Sequence, residues 1–591
     1  MNLFLWVNSK SIPFKGYLFL EPEEELILCS ENPLEVPLFF EKIETLIRKG
    51  FYAFGFFSYE LGYLLEKRLY PLYRKPETPL AHFIFFKKRK TLKIYPLKLT
   101  PSFKVLSCIL NLEREEYYQA ISKIRDYIAS GDTYQVNFTG KFKFLLEGNP
   151  WQIFHYILFS QRCEYACFFQ AKDYIILSFS PELFIRKRGK EILSSPMKGT
   201  EKRAPLLKFD EAQKIFLKKD EKTQAENLMI VDLIRNDLGR ISKVGSVEVS
   251  QLFKIKTYPT LHQMISTIKG ILPKGTKLFE IFKALFPCGS VTGAPKIRTM
   301  EIIKELEKEP RNVYTGAIGF LTPEGDFIFN VAIRTLLLKP LSENLYQGEL
   351  GVGAGIVWDS SPEKEFEETK LKAHFFLYPL PYFELFETFL WRNKPLRLKL
   401  HYKRLLNSLN FFKFKIPKEL ETYRNFTNFL EKNLKTKEHP FRVKLVVSPH
   451  GKIRLESSPI ETPSWGKDLK VGFIKRKTPK NLFHFHKTTF REEYDHYRKR
   501  LNEFGFTEIL FYNEDNFLLE GTISNIFLKV DNLFLTPPLD FGILPGVLRE
   551  EMLKKGLAKE YPLKIEDLKK GELYIGNSLR GLGKVKDWVI L

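Results

Sequence analysis

Cysteine is scarce: five in 591 residues, an odd number that argues against a disulfide framework. Cys163 and Cys167 are spaced as metal ligands can be, but no second pair completes a site, so reduced core thiols are expected and zinc is not. Long apolar runs are missing too. No stretch approaches the ~18 to 20 residues a membrane span needs. The opening MNLFLWVNSKSIPFKGYLFL alternates as strands do instead of forming a signal peptide, so the expected location is the cytoplasm. There is no long basic tail and no RNA- or DNA-binding signature. The net charge of +23 comes from 93 Lys and Arg interspersed with 70 Asp and Glu. Such a mixture reads as solvated surface that attracts anionic substrates, and nucleic acid is not an expected partner.

What is there suffices for two or three domains, each able to bury a core at 44% hydrophobic residues. The segment from Glu113 puts Tyr117, Ala120, Ile121, Ile124 and Ile128 on one helical face and stops at Gly131, delivering Gln135 to a following strand. Glu226 to Leu238 is apolar nearly all round and reads as a buried helix opened by a carboxylate, which has to be paired or hold a metal. In EKEFEETKLK, Glu365, Glu368 and Lys372 share one helical face. The prolines of Tyr378-Pro379-Leu380-Pro381 mark a boundary. Beyond it, Leu398 to Leu409 is amphipathic, and a hairpin turns at Asn513 to Asn516.

Pro196-Met197-Lys198-Gly199-Thr200 sets a lysine between two conformational specialists and reads as a rigid turn presenting one ammonium. Burial or nearby cations would lower its pKa and make the amine a nucleophile. Around it stand GDTYQVNF, FSPELF, AENLMIVDLIRNDLGR, SVTGAPK, AIRT and GVGAGIVWDS. In this order they resemble the chorismate-utilising enzymes, and within them the branch that aminates chorismate to 4-amino-4-deoxychorismate. The branch that makes anthranilate carries alanine where Lys198 stands. The resemblance implies an α+β fold, a two-layer β-sheet core with outer helices, spread over an N-terminal part (1–110) and a catalytic part (111–379).

It also implies roles. Lys198 is the nucleophile, and Glu182 the general acid that protonates the departing hydroxyl and later takes a proton from the incoming ammonium. Glu226, Glu365 and Glu368 match the ligands of Mg²⁺, which prefers oxygen and keeps several waters. Thr223 stands where the family often has an acid. Gln135 occupies the place of a base lysine in relatives that add water; glutamine cannot be that base, which agrees with ammonia as nucleophile. Thr292, Gly353 and Gly355, with Arg334 and Lys372 as cations and His262 and Tyr314 nearby, match positions that receive the substrate carboxylates.

The remaining residues, 380–591, carry FELFETFLW, LRLKLHYKRLLNSLNFF, FHFHKTTFREEYD, GFTEILFYNEDNFLLEGTISNIFL, GILPGVLRE and GNSLRGL. They resemble the class IV pyridoxal 5'-phosphate enzymes of the lyase branch, in an α+β fold with abbreviated opening strands. Lys487, on a threonine-flanked strand region, would carry the cofactor and act as its base. Glu520 would keep the pyridine nitrogen protonated. Gly546 and Val547 at a helix start, Ser578 and Arg404 would hold the phosphate. Relatives build this site across a homodimer, and the resemblance extends that to this chain.

The expectation is therefore a bifunctional enzyme of 4-aminobenzoate formation for folate. It would aminate chorismate and then eliminate pyruvate. The chain has no recognisable Cys-His-Glu amidotransferase segment, so a separate glutamine amidotransferase subunit is the expected ammonia source. The rival reading is an anthranilate-type synthase joined to a branched-chain or D-amino-acid aminotransferase.

Overall fold

The structure, a computed structural model, describes residues 4–96, 103–391, 396–434, 440–460 and 464–591. It divides into two compact units, one running to Arg203 and resuming over Ala212–Tyr382, the other taking Ala204–Glu211 and Phe383–Leu591.

In the first unit the strand alternation of the opening residues becomes a layered core. Along Phe4–Val7, Phe4 and Trp6 join an all-strand cluster with Phe19, Phe54, Phe56, Phe86, Phe169 and Phe320. Leu5 and Val7 point the opposite way, toward the helix Pro150–Gln161. The neighbouring strands Tyr52–Phe57 and Ala81–Ile94 repeat the pattern: Phe54 and Phe86 face the inter-sheet layer, while Phe57 and Phe83 face helices Glu35–Arg48, Glu221–Gly239 and Leu278–Leu285. Period-two alternation thus sends one side of each strand to a sheet-on-sheet interface and the other to an outer helix layer. Aromatic rings fill the joints, with Phe57 centred 4.5 Å from Phe282 and Phe19 stacked on Phe54 at 5.0 Å.

The element that positions the site is the antiparallel pair Gln135–Glu147 and Leu345–Ile356, in continuous register from Glu147↔Leu345 to Val136↔Ile356. The helix Arg114–Ala129 forms as its periodicity predicts, burying Tyr117, Ala120, Ile121 and Ile124. Beyond Leu350 the second strand keeps only one ladder partner, so its glycine-rich end has a free edge.

Two local expectations change. The segment around Lys198 is a bulged strand, Met197–Lys202, rather than a turn, because it pairs with Leu261–Ile271. The helix expected to be buried all round is longer, Glu221–Gly239, and exposes Leu228 while burying Ile230, Val231 and Ile234. The buried thiols of Cys163 and Cys167 are free.

In the second unit a three-stranded sheet (Leu385–Trp391, Phe441–Val447, Ile453–Pro459) packs on helices Leu398–Phe411 and Tyr423–Leu434. An eight-stranded mixed sheet, including Glu508–Tyr512, Leu518–Gly521 and Glu572–Asn577, makes the larger core. Among the described residues no helix is long and apolar enough to cross a membrane.

Candidate active sites

Lys198 stands in the bulge, where the four residues Met197 to Thr200 oppose the three from Ile265 to Gln263. The extra residue re-aims the side chain. Gly199 makes this feasible at φ +90°, and a Cβ there would stand 2.1 Å from the Thr223 methyl. Thr223 therefore packs against the lysine's own bulge, which gives a physical reason for a small side chain at that position. Burial pushes the Lys198 pKa down, helped by the nearby Lys372 and opposed by Glu226, Glu368 and Glu182. Its Nζ and the amide of Gln135 border the same empty point: a Cβ on Gly355 would lie 2.6 Å from Nζ and 3.0 Å from Gln135 Nε2. Both amide atoms of buried Gln135 lack a hydrogen-bond partner among the described residues.

Glu182 lies in the two-residue step between strands Ile175–Ser180 and Leu183–Arg188. Its Oε1 accepts a hydrogen bond from Ser290 Oγ at 2.6 Å. Burial raises its pKa to about 7, against Ser290, the Met197 N–H and Lys198, which favour the anion. Ser290 belongs to the SVTGAPK segment, yet nothing in the sequence marked it as the partner of this acid.

On helix Pro362–Leu371, Glu368 and Lys372 form an ion pair at 2.8 Å, and Lys372 Nζ also donates to Gly353 O at 2.6 Å. Glu365 accepts from Ser360 Oγ at 2.9 Å; burial first, then the Glu368 charge, raises its pKa. Among the described residues no three His, Cys, Asp or Glu side chains converge as a metal cage. A crowded carboxylate pair beside Lys198 is nevertheless a donor set that Mg²⁺ suits, since this ion takes one or two carboxylates and completes its shell with water and substrate oxygens.

The remaining expected positions have partners of their own. Thr292 is buried, donates to Cys288 O at 2.9 Å, and its carbonyl accepts from Asn137 N at 2.8 Å. Tyr314 lays its ring on Gly351. His262 Nδ1 and Thr257 Oγ1 are 3.1 Å apart, and His262 pairs across the sheet with Glu201. Arg334 donates to Gln161 Oε1 at 2.9 Å, and burial lowers its pKa. Behind Thr292, buried Arg311 binds Glu307 twice (2.7 and 2.9 Å) and reaches Val291 O and Asn137 O, clamping the turn at Val291 to the strand Gln135–Glu147.

In the second unit Arg404, Lys487, Glu520, Gly546, Val547 and Ser578 all line one cavity of about 580 Å³. Lys487 lies in a loop rather than on a strand; its carbonyl accepts from Phe386 N at 3.0 Å, which anchors the loop to the small sheet. Its Nζ sits 4.8 Å from the centre of the Phe386 ring. Burial, then Arg404 and Arg491, lower its pKa to about 7. Glu520 accepts from Tyr494 OH at 2.9 Å and from Leu544 N–H at 3.0 Å, and burial raises its pKa to about 7. Gly546 caps the helix Val547–Lys554, and a Cβ there would stand 1.7 Å from Asn525 Oδ1.

Arg404 and Ser578 are joined by residues that the sequence did not single out. Glu387 accepts from Arg404 at 2.8 and 2.6 Å and pairs with His401 Nδ1 at 2.7 Å, while His401 Nε2 lies 2.7 Å from Ser578 Oγ. Burial opposes the Glu387 charge, yet Arg404 and His401 prevail and hold its pKa at about 2. Spacing offers a signal in retrospect: His401 and Arg404 are three apart on a helix and therefore share a face.

A sequence profile described as chorismate binding enzyme matches residues 14–378, more than half of the chain. The chain belongs to the chorismate binding enzyme family. A second profile, amino-transferase class IV, matches residues 384–588. Similar family members include aminodeoxychorismate synthase component 1 of Escherichia coli, 41% identical over 261 residues (44% of this chain, 56% of that protein). Anthranilate synthase component 1 of Aquifex aeolicus is 37% identical over 287 residues (49% and 57%). The chain thus spans a little over half the length of these curated relatives. The crystal structure of anthranilate synthase component I from Streptococcus pneumoniae superposes with a TM-score of 0.53 at 27% identity, covering 61% of this chain and 91% of that one.

Proposed function

We propose that the chain aminates chorismate to 4-amino-4-deoxychorismate in its first unit and eliminates pyruvate from that compound in its second, giving 4-aminobenzoate for folate. Relatives named for aminodeoxychorismate and for anthranilate synthesis match at similar identity, so percentages do not choose between them. Lys198 does: a half-buried lysine whose pKa desolvation lowers, in a bulge bordering the glycine-rich strand, suits a nucleophile that the anthranilate branch lacks.

Neutral Lys198 Nζ attacks ring carbon C2 of chorismate. The ring double bond shifts, and the C4–O bond breaks as Glu182 delivers a proton to the leaving hydroxyl, which departs as water. Ammonia then forms a bond to C4, the double bond shifts back and the C2–N bond to Lys198 breaks. Glu182, now a carboxylate, takes the surplus proton from the new ammonium. A carboxyl held near 7 suits both transfers. Glu226, Glu365 and Glu368 would hold Mg²⁺, whose charge would neutralise a substrate carboxylate.

In the second unit the residues lining the cavity fit pyridoxal phosphate: Lys487 would carry it, Glu520 would keep its pyridine nitrogen protonated, and Arg404, Ser578 and the N–H groups at Gly546 and Val547 would hold its phosphate. When bound, the cofactor supplies an electron sink. Lys487, with its pKa near 7, moves the protons. Ammonia would come from a separate glutamine amidotransferase subunit, and the second unit would pair as a homodimer. Both units should stay in the cytoplasm.

Incubating the intact chain with chorismate, ammonium, Mg²⁺ and pyridoxal phosphate, with products identified by mass spectrometry, tests the assignment. 4-Aminobenzoate and pyruvate are expected. Anthranilate would overturn the role of Lys198, and 4-amino-4-deoxychorismate accumulating alone would remove the lyase step.

A further inference from the structure

The cavity that holds Lys487 is also lined by three arginines with no role in the proposed reaction, Arg442, Arg498 and Arg580, the first two close enough to act on the charge of the third. They come from separate elements: Arg442 from strand Phe441–Val447, Arg498 from helix Glu492–Lys499, and Arg580 from the turn before strand Gly581–Ile590. Arg580 is half-buried and lies 5.0 Å over the Trp465 ring, whose Nε1 donates to Gly581 O at 2.9 Å, so its guanidinium has a fixed seat. The charges that press on it are Arg498 and Arg442, opposed by Glu508. Glu508 is itself engaged by Thr522 Oγ1, Ser524 Oγ and the N–H groups of Ile509 and Ile523.

No side chain among the described residues accepts a hydrogen bond or ion pair from these three guanidinium groups. The acids lining the same cavity are committed elsewhere: Asp495 to Arg491, Glu493 to the N–H groups of Lys477 and Thr478, and Glu520 to Tyr494 and Leu544; Glu492 is exposed. Three guanidinium groups opposed by one carboxylate, the already engaged Glu508, leave a net positive cluster that an anion would join.

Their position indicates what that anion is. Lys487 and Lys444 both stand over Phe386, at 4.8 and 5.6 Å from the ring centre. Arg442 is two residues along the strand from Lys444 and on the same face, about 7 Å further along the strand from Val446, the register partner of Phe386. A substrate amine held at Lys487 would therefore place a group on the far side of a six-membered ring among the arginines.

We propose that Arg442, Arg498 and Arg580 form a carboxylate-receiving subsite, selecting cyclic amines that carry carboxylates across the ring from the nitrogen. This inference rests on the lyase reading for its substrate, but not for its ligand chemistry. Guanidinium groups bind carboxylates as planar forks, which a chain of neutral polar residues could not reproduce.

The test is calorimetric titration of the full-length, pyridoxal-phosphate-loaded protein with isophthalate, and with isophthalamide as the uncharged control. Isophthalate should bind and the diamide should not. Arg498→Gln and Arg580→Gln should each weaken isophthalate about 10-fold or more, the loss of one charge-assisted contact, while Arg580→Lys recovers part of it. Retained cofactor absorbance shows that each variant is folded. Should Arg580→Gln lose the cofactor, Arg498→Gln and the exposed Arg442→Gln decide. Unchanged isophthalate affinity in cofactor-loaded variants, or equal binding of the diamide, overturns the subsite. If isophthalate binds as described but added 4-amino-4-deoxychorismate releases no pyruvate, the lyase reading fails and the subsite stands.

Discussion

Gly355 leaves its side-chain position to Lys198: a Cβ there would stand 2.6 Å from Nζ. The strand Leu345–Ile356 therefore carries glycine at this point because the Lys198 amine occupies the space. Gly355→Ala should displace the amine without disturbing the core, since the far end of a lysine yields easily. Misplacement on the scale of 1 Å can cost about 100-fold in rate. We expect a loss of about that size in kcat for amination, with the melting temperature little changed. An equal fall in melting temperature would make the glycine a packing residue instead.

In the proposed reaction the pH dependence of amination follows from Glu182. Its carboxyl is raised to about 7, so the acid form that can protonate a leaving hydroxyl is present below that value and is lost as pH rises through it. Lys198 is shifted the other way, so its neutral form persists to lower pH than an ordinary lysine allows. A kcat/KM profile with a limb near 7 is expected. In Glu182→Gln the rate should fall about 10² to 10⁴-fold, the usual worth of general acid–base catalysis, and the limb should vanish. A limb that persists in this variant assigns it to another group.

Much of this was legible in the sequence because the chemistry is local. The helix before Gln135 showed its buried face through spacing, and Glu368 and Lys372 meet because helical neighbours four apart do. Bulges and long-range partners were not legible. Lys198 reads as a turn residue from Pro196 and Gly199 alone; only pairing with Leu261–Ile271 turns that segment into a strand. Ser290 meets Glu182 across 108 positions of sequence, and Glu387 gathers Arg404 and, through His401, Ser578. Such contacts are set by how steps, turns and helices pack against strands distant in sequence, which no short motif encodes.

Glu387 carries a stability prediction. Its pKa of about 2 lies below the ~4.3 of an unfolded glutamate, so its contribution is present above the unfolded value and is lost as pH falls toward 2. Glu387→Ala strands Arg404 beside His401 without a counter-charge, a change that typically costs about 3 to 5 kcal/mol in a buried pair. Urea unfolding at neutral pH, followed through the cofactor absorbance, should show a loss of that order and weaker retention of pyridoxal phosphate. Wild-type behaviour would reduce the cluster to a bystander.

The two sites should separate by mutation. Lys487→Ala removes the amine that lies over Phe386 and leaves the first unit untouched. Pyruvate release should stop while chorismate is still consumed, so that 4-amino-4-deoxychorismate accumulates. Continued formation of 4-aminobenzoate at the wild-type rate would remove Lys487 from the second step.

The most direct measurement is to mix the chain with chorismate and Mg²⁺ in the absence of ammonia, quench, digest and search for a modified peptide containing Lys198. The account predicts an adduct of chorismate less one water on that lysine, which disappears on adding ammonium and is absent from Lys198→Ala, a variant without amination activity. Full amination by Lys198→Ala would contradict the covalent role.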